Sequence, residues 1–315
     1  MTVRAVAAPS PADLDAAAAV VAAHLAPTPL IPAPALGDGV HLKLETLQPT
    51  GSFKVRGGLA ALGRTGRGAP VVTASAGNAG LGVAWAASVL GVRATIVVPD
   101  TASPAKLAAL EALPVALVRH GAGYDEAELH ALALPGATYV SSYNDTGVIA
   151  GQATLGRELD AQLPGPVAVA APLGGGSLAS GLGLWAAGRA GARVIGVEAA
   201  RSPAFTTALA AGEITPFAVG DTLADGLAGN LEPGSATFAL VRDHVARVEQ
   251  VSEAEIEEAI RFLARAHGIV AEGAGATAVA AALAGRITPA AAPLVLIVSG
   301  RNIALDRLSA VLSGA

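Results

Sequence analysis

Short runs of β-branched residues alternate with longer alanine-rich stretches along the chain. The longer stretches predict helices, among them Ala79–Leu90, Pro104–Leu113, Val148–Gln162, Leu178–Ala190 and Glu253–Ala266. The short runs predict nine strands, at His41–Glu45, Pro70–Thr73, Arg93–Val98, Val115–Arg119, Thr138–Ser141, Val167–Ala171, Arg193–Val197, Ala246–Val251 and Leu294–Val298. Ser252 and Glu255 form a capping box, which marks a helix start. This alternation is typical of an α/β protein with parallel sheets covered by helices on both faces.

Four unusual loops each follow a predicted strand directly. They are Thr46–Lys54, Ser75–Asn78, Pro172–Ser177 and Ser299–Asn302. Ligands of open parallel sheets bind in the crevice beyond the carboxyl ends of the strands. We therefore expect the four loops to form one shared site.

Composition excludes several classes of protein. The 315 residues have a net charge of −5 without a basic block, which argues against nucleic acid as a partner. Much of the mean hydropathy of +0.54 comes from alanine, and no run of eighteen apolar residues predicts a membrane span. The N-terminus lacks the apolar core of a signal peptide. The absence of cysteine excludes disulfides, thiolate metal sites and a cysteine nucleophile, and is compatible with the cytoplasm.

The basic residues are 17 arginines and three lysines, Lys43, Lys54 and Lys106. A lysine kept in such a chain hints at amine chemistry, because an ammonium group can lose its proton and a guanidinium group cannot. Lys54 begins a predicted helix after a Thr-Gly-Ser turn. The positive end of the helix disfavours the ammonium form, and a neutral amine is what Schiff-base chemistry requires. The alternative is a surface lysine that extends from its helix into solvent.

Three further motifs have both a functional and a structural interpretation. Gly174–Ser177 joins a strand to a helix and suits a phosphate monoester held by backbone N–H groups, or is a turn without a ligand. Ser75–Asn78 suits a carboxylate or a phenolic oxygen, or is a helix-capping turn. Glu272–Ala278 matches the dinucleotide pattern, but no acidic residue follows at the expected spacing. We interpret this last segment as close helix packing.

Together these segments resemble the fold-type-II pyridoxal-phosphate enzymes, close to threonine/serine dehydratase and serine racemase. Leu47–Gly57 is similar to that family's cofactor-lysine segment almost residue for residue. Ser75–Asn78 resembles its substrate-carboxylate loop, and Gly174–Leu178 resembles its phosphate loop. Other matching segments follow in the family's order over roughly residues 28 to 307, namely Val148–Gln152, Ala224–Gly226, Glu272 and Ser299–Asn302.

The resemblance implies two doubly wound parallel-sheet domains, similar to those of the tryptophan synthase β subunit. The larger domain would comprise residues 1–65 and 144–315, and the smaller one residues 66–143. Gly63–Gly68 is the best candidate for the crossing between them, or is an ordinary surface loop. The family's regulatory C-terminal domain is not expected, since the chain ends soon after Ser299. The family alone implies a homodimer, and the absence of cysteine accords with the expected location in the cytoplasm.

The resemblance also implies pyridoxal 5′-phosphate as the cofactor and assigns the site residues. Lys54 would attach the cofactor and remove the Cα proton of the substrate, and Ser299 would face the pyridine nitrogen; these two are the candidate catalytic residues. The candidate cofactor-binding residues are Phe53, Lys54, Asn78, Gly174, Gly175, Gly176, Ser177, Leu178, Gly226, Glu272 and Ser299. The candidate substrate-binding residues are Ser75, Ala76, Gly77, Asn78 and Arg301.

Several residues depart from the family pattern. Serine racemase has a second serine, which donates a proton to the opposite face of the substrate, where this chain has Ala76. Arg301 replaces a small residue and can receive a second acidic group, or points away and pairs with a surface acid. Glu198 resembles a divalent-metal ligand, but Ala204 stands near the place of its acidic partner, so no strong metal site is expected. Further departures are Ala79 and Ser141–Tyr143, which leave the substrate open.

We therefore predict a dehydratase that converts a small 3-hydroxy amino acid, L-threonine, L-serine or 3-hydroxyaspartate, to a 2-oxo acid and ammonia. One alternative is another reaction on the same cofactor: racemisation, β-replacement or threonine synthesis. Ala76 argues against racemisation. An alternative of another class is a non-catalytic sensor of a phosphate-bearing ligand on the same fold.

Overall fold

The structure is a computed structural model that describes residues 4–65, 68–289 and 292–314. The strands are β1 Leu30–Pro32, β2 Val40–Leu44, β3 Val71–Ala74, β4 Ala94–Val98, β5 Ala116–Arg119, β6 Thr138–Tyr139, β7 Val167–Pro172, β8 Ala192–Ala199, β9 Arg247–Val251 and β10 Leu294–Val298. The helices are α1 Pro11–His24, α2 Lys54–Arg64, α3 Asn78–Leu90, α4 Pro104–Glu111, α5 Tyr124–Ala133, α6 Thr146–Gln162, α7 Ser177–Ala187, α8 Ala204–Ala211, α9 Ala236–His244, α10 Glu253–His267, α11 Gly273–Leu283 and α12 Leu305–Ser313.

These strands form two sheets. The first has the order β1-β2-β10-β7-β8-β9 and is parallel except for the β1–β2 pair. The second has the order β5-β4-β3-β6 and is parallel throughout. All nine predicted strands are confirmed. Strand β1 was not predicted, because it is three residues long, contains a proline and lies at the antiparallel edge.

Both faces of each sheet are covered by helices. In β7 the side chains of Val167 and Val169 pack with residues of α6 and α7, whereas Ala168 and Ala170 pack with residues of α10 and α11. The second sheet packs α2 and α3 on one face and α5 on the other. This alternation along a buried parallel strand is the doubly wound arrangement, so the predicted fold class is confirmed.

The two sheets lie in separate parts of the chain. The second sheet takes all its strands from residues 71–139, within the segment predicted to form the smaller domain. Gly63 and Arg64 of the predicted crossing belong to α2, and residues 66–67 lie outside the described part of the chain. The division into two domains stays a prediction. Within the described residues, no helix is both long enough and apolar enough to cross a membrane.

Helices α2 and α3 meet backbone to backbone. A Cβ atom added to Gly58 would lie 2.5 Å from the carbonyl oxygen of Gly82, and one added to Gly82 would lie 2.8 Å from the carbonyl carbon of Lys54. Neither distance is possible for a real side chain, so both positions require glycine. This contact joins the helix that begins with Lys54 directly to the helix that begins with Asn78.

Candidate active site

Three of the four unusual loops follow three neighbouring strands. Strand β10 lies between β2 and β7, and the loops after these strands carry Ser299, Lys54 and Gly174 respectively. The fourth loop, Ser75–Asn78, follows β3 of the second sheet. The side chain of Asn302 donates to that of Asn78 at 2.6 Å, which connects the second sheet to the first. The structure thus brings all four loops to one region, as the sequence predicted.

Lys54 is the first residue of α2 and is half-buried. Its Nζ donates to the carbonyl oxygen of Ser142 at 2.8 Å and lies 5.2 Å from the centre of the Phe53 ring. Burial lowers the pKa of Lys54 to about 8, and the carboxylate of Glu272 opposes this shift only partly. The predicted direction is found, but its main cause is loss of hydration rather than the end of the helix. A lysine that extends freely into solvent is not what the structure shows.

The other two lysines are ion-pair partners. Lys43 is fully buried and donates to the carboxylate of Glu158 at 2.5 Å. Lys106 is half-exposed and lies 3.3 Å from the carboxylate of Asp225. The hint of amine chemistry drawn from all three lysines is therefore wrong for these two, because salt bridges explain both.

The glycine loop is closely packed on its outer sides. A Cβ atom at Gly174 would lie 2.7 Å from the Cα of Leu227, and one at Gly176 would lie 2.5 Å from the ring of Phe205. Gly176 has a φ of +89°, which favours glycine. The ring of Tyr143 packs against Gly175. Among the residues that the structure describes, no side chain caps the N-terminus of α7, so the loop presents backbone N–H groups at the positive end of this helix.

Asn78, Glu272 and Asn302 form a hydrogen-bonded cluster. Asn78 Nδ2 donates to Glu272 Oε1 at 2.7 Å, while Asn78 Oδ1 accepts from Asn302 Nδ2 at 2.6 Å. Burial, followed by the negative charge of Asp225, raises the pKa of Glu272 to about 7. At neutral pH the carboxyl group of Glu272 is therefore divided between its two protonation states.

The two glycines that follow Glu272 test the prediction that this segment packs closely. Within α11, a Cβ atom at Gly275 would collide with the carbonyl oxygen of Gly300, and one at Gly273 would collide with that of Leu223. The glycines therefore bring α11 against the loop that follows β10. Close packing is confirmed as the reason for these glycines.

Ser299 and Phe53 lie together at the base of the site. The carbonyl oxygen of Ser299 accepts from the backbone N–H of Phe53 at 3.0 Å. Ser299 is buried, with 2% of its surface exposed. The ring of Phe53 packs on the apolar cluster between the first sheet and helices α6 and α7.

The Ser75–Asn78 turn closes on itself, because Ser75 Oγ accepts from the backbone N–H of Gly77 at 3.1 Å. Ala76 packs on the apolar cluster beneath it. Of the four residues of this turn, only Asn78 has a side chain that forms hydrogen bonds with the loops of the first sheet, within the described residues. The substrate-binding role of this turn stays a prediction.

Arg301 and Gly226 lie at the exposed rim. The backbone N–H of Arg301 donates to the carbonyl oxygen of Gly51, whereas its guanidinium group has no ion-pair partner in the described residues. The predicted pairing of Arg301 with a surface acid is therefore not found there. Gly226 lies next to Asp225, whose salt bridge with Lys106 of α4 connects the rims of the two sheets.

Glu198 is a helix cap in this structure. Its buried carboxylate accepts from the backbone N–H groups of Phe205 and Thr206 at 2.6 and 3.0 Å, and from the Thr206 hydroxyl at 2.7 Å. These three donors stand at the start of α8, where Ala204 is the first residue. No group of three or more potential ligands among His, Cys, Asp and Glu occurs in the described residues.

Sequence reasoning missed two site features. It singled out Ser141–Tyr143 only as a departure from the family, yet Ser142 holds Lys54 and Tyr143 packs on the glycine loop. It also gave no role to the Asn302 side chain. Both depend on contacts between distant segments, for which neither motif nor spacing gives a signal.

The model of the family described as "pyridoxal-phosphate dependent enzyme" matches residues 21–300. The chain belongs to this family. It is 38% identical to the L-threonine ammonia-lyase of Thermotoga maritima, over 88% of this chain and 70% of that protein. These relations confirm the resemblance and make pyridoxal phosphate the cofactor.

Two solved structures of the family are also similar. The processed form of threonine deaminase isoform 2 from Solanum lycopersicum superposes with a TM-score of 0.87 at 31% identity, over 100% of this chain and 97% of that one. Maize serine racemase gives a TM-score of 0.90 at 27% identity, over 98% of each chain.

The residues at this site fit the cofactor of the family. Pyridoxal phosphate needs an amine that can lose its proton, donors for a phosphate and a donor for its phenolic oxygen. The structure offers the half-buried Lys54, the uncapped N-terminus of α7 behind the glycine loop, and the Nδ2 group of Asn78. The individual residue roles stay predictions.

The pKa of Lys54 leads to a testable pH dependence. Only the neutral amine attacks a carbonyl. Because the pKa is lowered to about 8, the neutral fraction of the Lys54 amine increases as the pH rises through about 8. We expect the rate at which added pyridoxal phosphate attaches covalently to the cofactor-free protein to rise with a midpoint near pH 8. Borohydride trapping followed by mass spectrometry measures it. A midpoint at the ordinary lysine pKa would contradict the lowered value.

Proposed function

We propose that this member of the family is a lyase that converts a small 3-hydroxy amino acid, L-threonine, L-serine or 3-hydroxyaspartate, to a 2-oxo acid and ammonia. In the net reaction the hydroxyl leaves Cβ with a proton as water, and one water later enters as the amine leaves as ammonia. The relative named as L-threonine ammonia-lyase and the solved structure of threonine deaminase support this reaction. The observation that carries it is the half-buried amine of Lys54 at the start of α2, which lies 2.8 Å from the carbonyl oxygen of Ser142. Burial lowers the pKa of this amine to about 8, so that it is able to accept a proton near neutral pH.

In this proposal each residue of the site has a separate role in binding the cofactor or in moving a proton. When bound, the cofactor supplies an electron sink for the bond broken at Cα. The amine of Lys54 takes the Cα proton and, as an ammonium, is held by the carbonyl oxygen of Ser142. The glycine loop binds phosphate through backbone N–H groups. The Ser299 hydroxyl is a neutral partner for a ring nitrogen, and unlike a carboxylate it does not favour protonation of that nitrogen.

Ala76 distinguishes elimination from racemisation. Maize serine racemase is a close structural neighbour, so racemisation is the specific second candidate. Racemisation needs a proton donor on the face of the substrate opposite to the lysine. The methyl group of Ala76 cannot donate a proton, and it packs on the apolar cluster of the second sheet. The residue thus supports elimination.

The deciding experiment is product analysis. The purified protein with its cofactor is incubated separately with L-threonine, L-serine and D,L-threo-3-hydroxyaspartate, and 2-oxo acid, ammonia and D-amino acid are assayed. We expect 2-oxo acid and ammonia in equal amounts. D-amino acid without 2-oxo acid would establish racemisation instead. Cofactor binding without any product would favour a ligand sensor.

Arg301 is our candidate for selecting an acidic substrate. Its guanidinium is exposed at the rim and unpaired within the described residues, so it is available for a second carboxylate. We expect Arg301→Ala to lower kcat/KM for 3-hydroxyaspartate by about 10-fold, the effect of one lost hydrogen bond to a charged group, with little change for threonine. Arg307→Ala, a change of the same charge at another exposed arginine, is the control. Equal losses on both substrates would exclude this role.

The proposal also covers the location of the enzyme in the cell and the number of chains in its assembly. We place the enzyme in the cytoplasm as a homodimer, on the basis of the family resemblance. Light scattering of the purified protein tests the dimer. A mass of one chain at micromolar concentration would refute it.

A further inference from the structure

Asn302 and Asn78 form a chain of hydrogen bonds that starts at a backbone carbonyl. Asn302 Nδ2 donates to the carbonyl oxygen of Thr50 at 2.8 Å and to Asn78 Oδ1 at 2.6 Å. Asn78 Nδ2 then donates to Glu272 Oε1 at 2.7 Å. The chain therefore runs from the lysine segment through the rim to the polar cluster of the site.

The direction of this chain is fixed by its first member. The oxygen of Thr50 can only accept, so the NH₂ group of Asn302 must face it. That group has two hydrogens, and the second one meets Asn78. Asn78 must then turn its oxygen toward Asn302 and its own NH₂ group toward Glu272. One hydrogen of this NH₂ group bonds Glu272, and the other is available to the cofactor.

The position of Asn302 is also fixed. Gly51 has a φ of +74°, and a Cβ atom there would lie 2.5 Å from Asn302 Oδ1. The carbonyl oxygen of Gly51 accepts from the backbone N–H of Arg301 at 2.9 Å. The turn before Lys54 therefore has room for the Asn302 side chain only because residue 51 is glycine.

We propose that Asn302 is a positioning residue that keeps Asn78 a hydrogen-bond donor toward the cofactor. A side-chain amide has a similar shape in both orientations, so shape alone does not decide which end of Asn78 faces the site. Glu272 has a pKa raised to about 7, so its carboxyl group can accept from one end of this amide or donate to the other. The hydrogen bond from Asn302, whose NH₂ group can only donate, therefore decides the orientation. This inference deepens the proposed function and rests on it, since it concerns the donor to the phenolic oxygen.

Two substitutions separate orientation from packing. In Asn302→Asp the carboxylate only accepts, so Asn78 should rotate to donate to it and should turn its own oxygen toward the cofactor. In Asn302→Ala water replaces the lost group at the exposed rim, and Asn78 remains free to adopt either orientation. We expect cofactor affinity to fall about 10-fold or more in Asn302→Asp, the effect of one hydrogen bond to a charged oxygen, and less in Asn302→Ala.

The second readout is the visible spectrum of the bound cofactor as a function of pH. A lost donor to an anionic oxygen makes that oxygen easier to protonate, so the midpoint of the spectral change should rise in Asn302→Asp. Asn230→Asp is the matched control, because Asn230 is an exposed asparagine that bonds only the backbone of Phe217 in the described residues. It adds the same charge and should leave both readouts unchanged.

Opposite results would overturn the inference. If Asn302→Ala impairs binding as much as Asn302→Asp, the side chain acts through packing alone. If the effect of Asn302→Asp disappears at about 1 M salt, where the Debye length is about 3 Å, the added charge rather than the orientation is responsible. Both readouts concern cofactor binding. A wild-type protein that binds the cofactor but forms no 2-oxo acid refutes the proposed function and leaves this test intact.

Discussion

Replacing Lys54 by alanine should remove both the visible band of the lysine-bound cofactor and turnover. The substitution deletes the amine that attaches the cofactor and takes the Cα proton. We expect the rate of 2-oxo acid formation to fall by about 1,000-fold or more, because it removes a nucleophile and a general base together. Absorbance spectroscopy of the reconstituted protein and a coupled assay for 2-oxo acid measure the two losses.

The chain provides a matched control for this experiment. Lys106 is the other lysine near the site, and it pairs with Asp225 at the half-exposed rim. Lys106→Ala should keep the visible band. A Lys54→Ala protein that keeps the band, or turns over substrate at the wild-type rate, would show that another amine carries the cofactor.

The second large effect concerns stability. Glu45 and Arg56 are both completely buried and form a bidentate salt bridge with distances of 2.7 and 2.8 Å. Arg56 also lies 2.7 Å from Glu158, which pairs with Lys43. In Glu45→Ala, the two buried cations Lys43 and Arg56 share the single carboxylate of Glu158. We expect the free energy of unfolding to fall by about 3–5 kcal/mol, as for other buried pairs that lose one partner.

Chemical denaturation followed by circular dichroism measures this loss. Glu258→Ala is the matched control, because Glu258 pairs with Arg261 on the surface and is 56% exposed; its loss should stay below about 1 kcal/mol. If Glu45→Ala does not fold, Glu45→Gln, which keeps the shape and part of the hydrogen bonding, provides the intermediate case. Equal losses for the buried and surface variants would refute the importance of the buried network.

The same pair predicts a pH dependence. Burial works to raise the pKa of Glu45, but the adjacent Arg56 outweighs it, and the pKa lies below its ordinary value of 4.5. A carboxyl group with a lowered pKa stabilises the folded state above its unfolded pKa and loses this contribution as the pH falls through the folded value. The difference in stability between the wild type and Glu45→Gln should therefore be constant near neutral pH and shrink below pH 4.5.

The sequence predicted the strands and the loops, because a short stretch of sequence is enough to recognise each of them. Buried parallel strands such as Val167–Pro172 are nearly continuous apolar runs, and glycine-rich loops stand out beside them. The four loops were placed at one site because strand ends in parallel sheets share an edge. The buried network was not predicted. Its four members come from three segments, at residues 43–45, 56 and 158, and Lys43 was interpreted as a possible reactive amine rather than as a partner of Glu158.

The orientation of the Asn78 side chain and the cause of the pKa shift of Lys54 also could not be predicted from the sequence. The sequence identified Asn78 as a donor, but the hydrogen bond that orients its amide comes from a residue 224 positions away. The lowered pKa of Lys54 was predicted from its place at the helix start, whereas burial by the surrounding loops is the main cause. Both depend on tertiary contacts that no local pattern records.

The glycine contact between α2 and α3 has a consequence for protein engineering. Thermostable variants are commonly made by exchanging helical glycines for alanine, which gains about 0.5–1 kcal/mol per site in an exposed helix. At Gly58 and Gly82 the added methyl group would meet backbone atoms of the opposite helix at 2.5 and 2.8 Å. Alanine there would force apart the two helices whose first residues are Lys54 and Asn78. A stabilisation campaign on this scaffold should therefore leave both glycines untouched and work on surface helices such as α10.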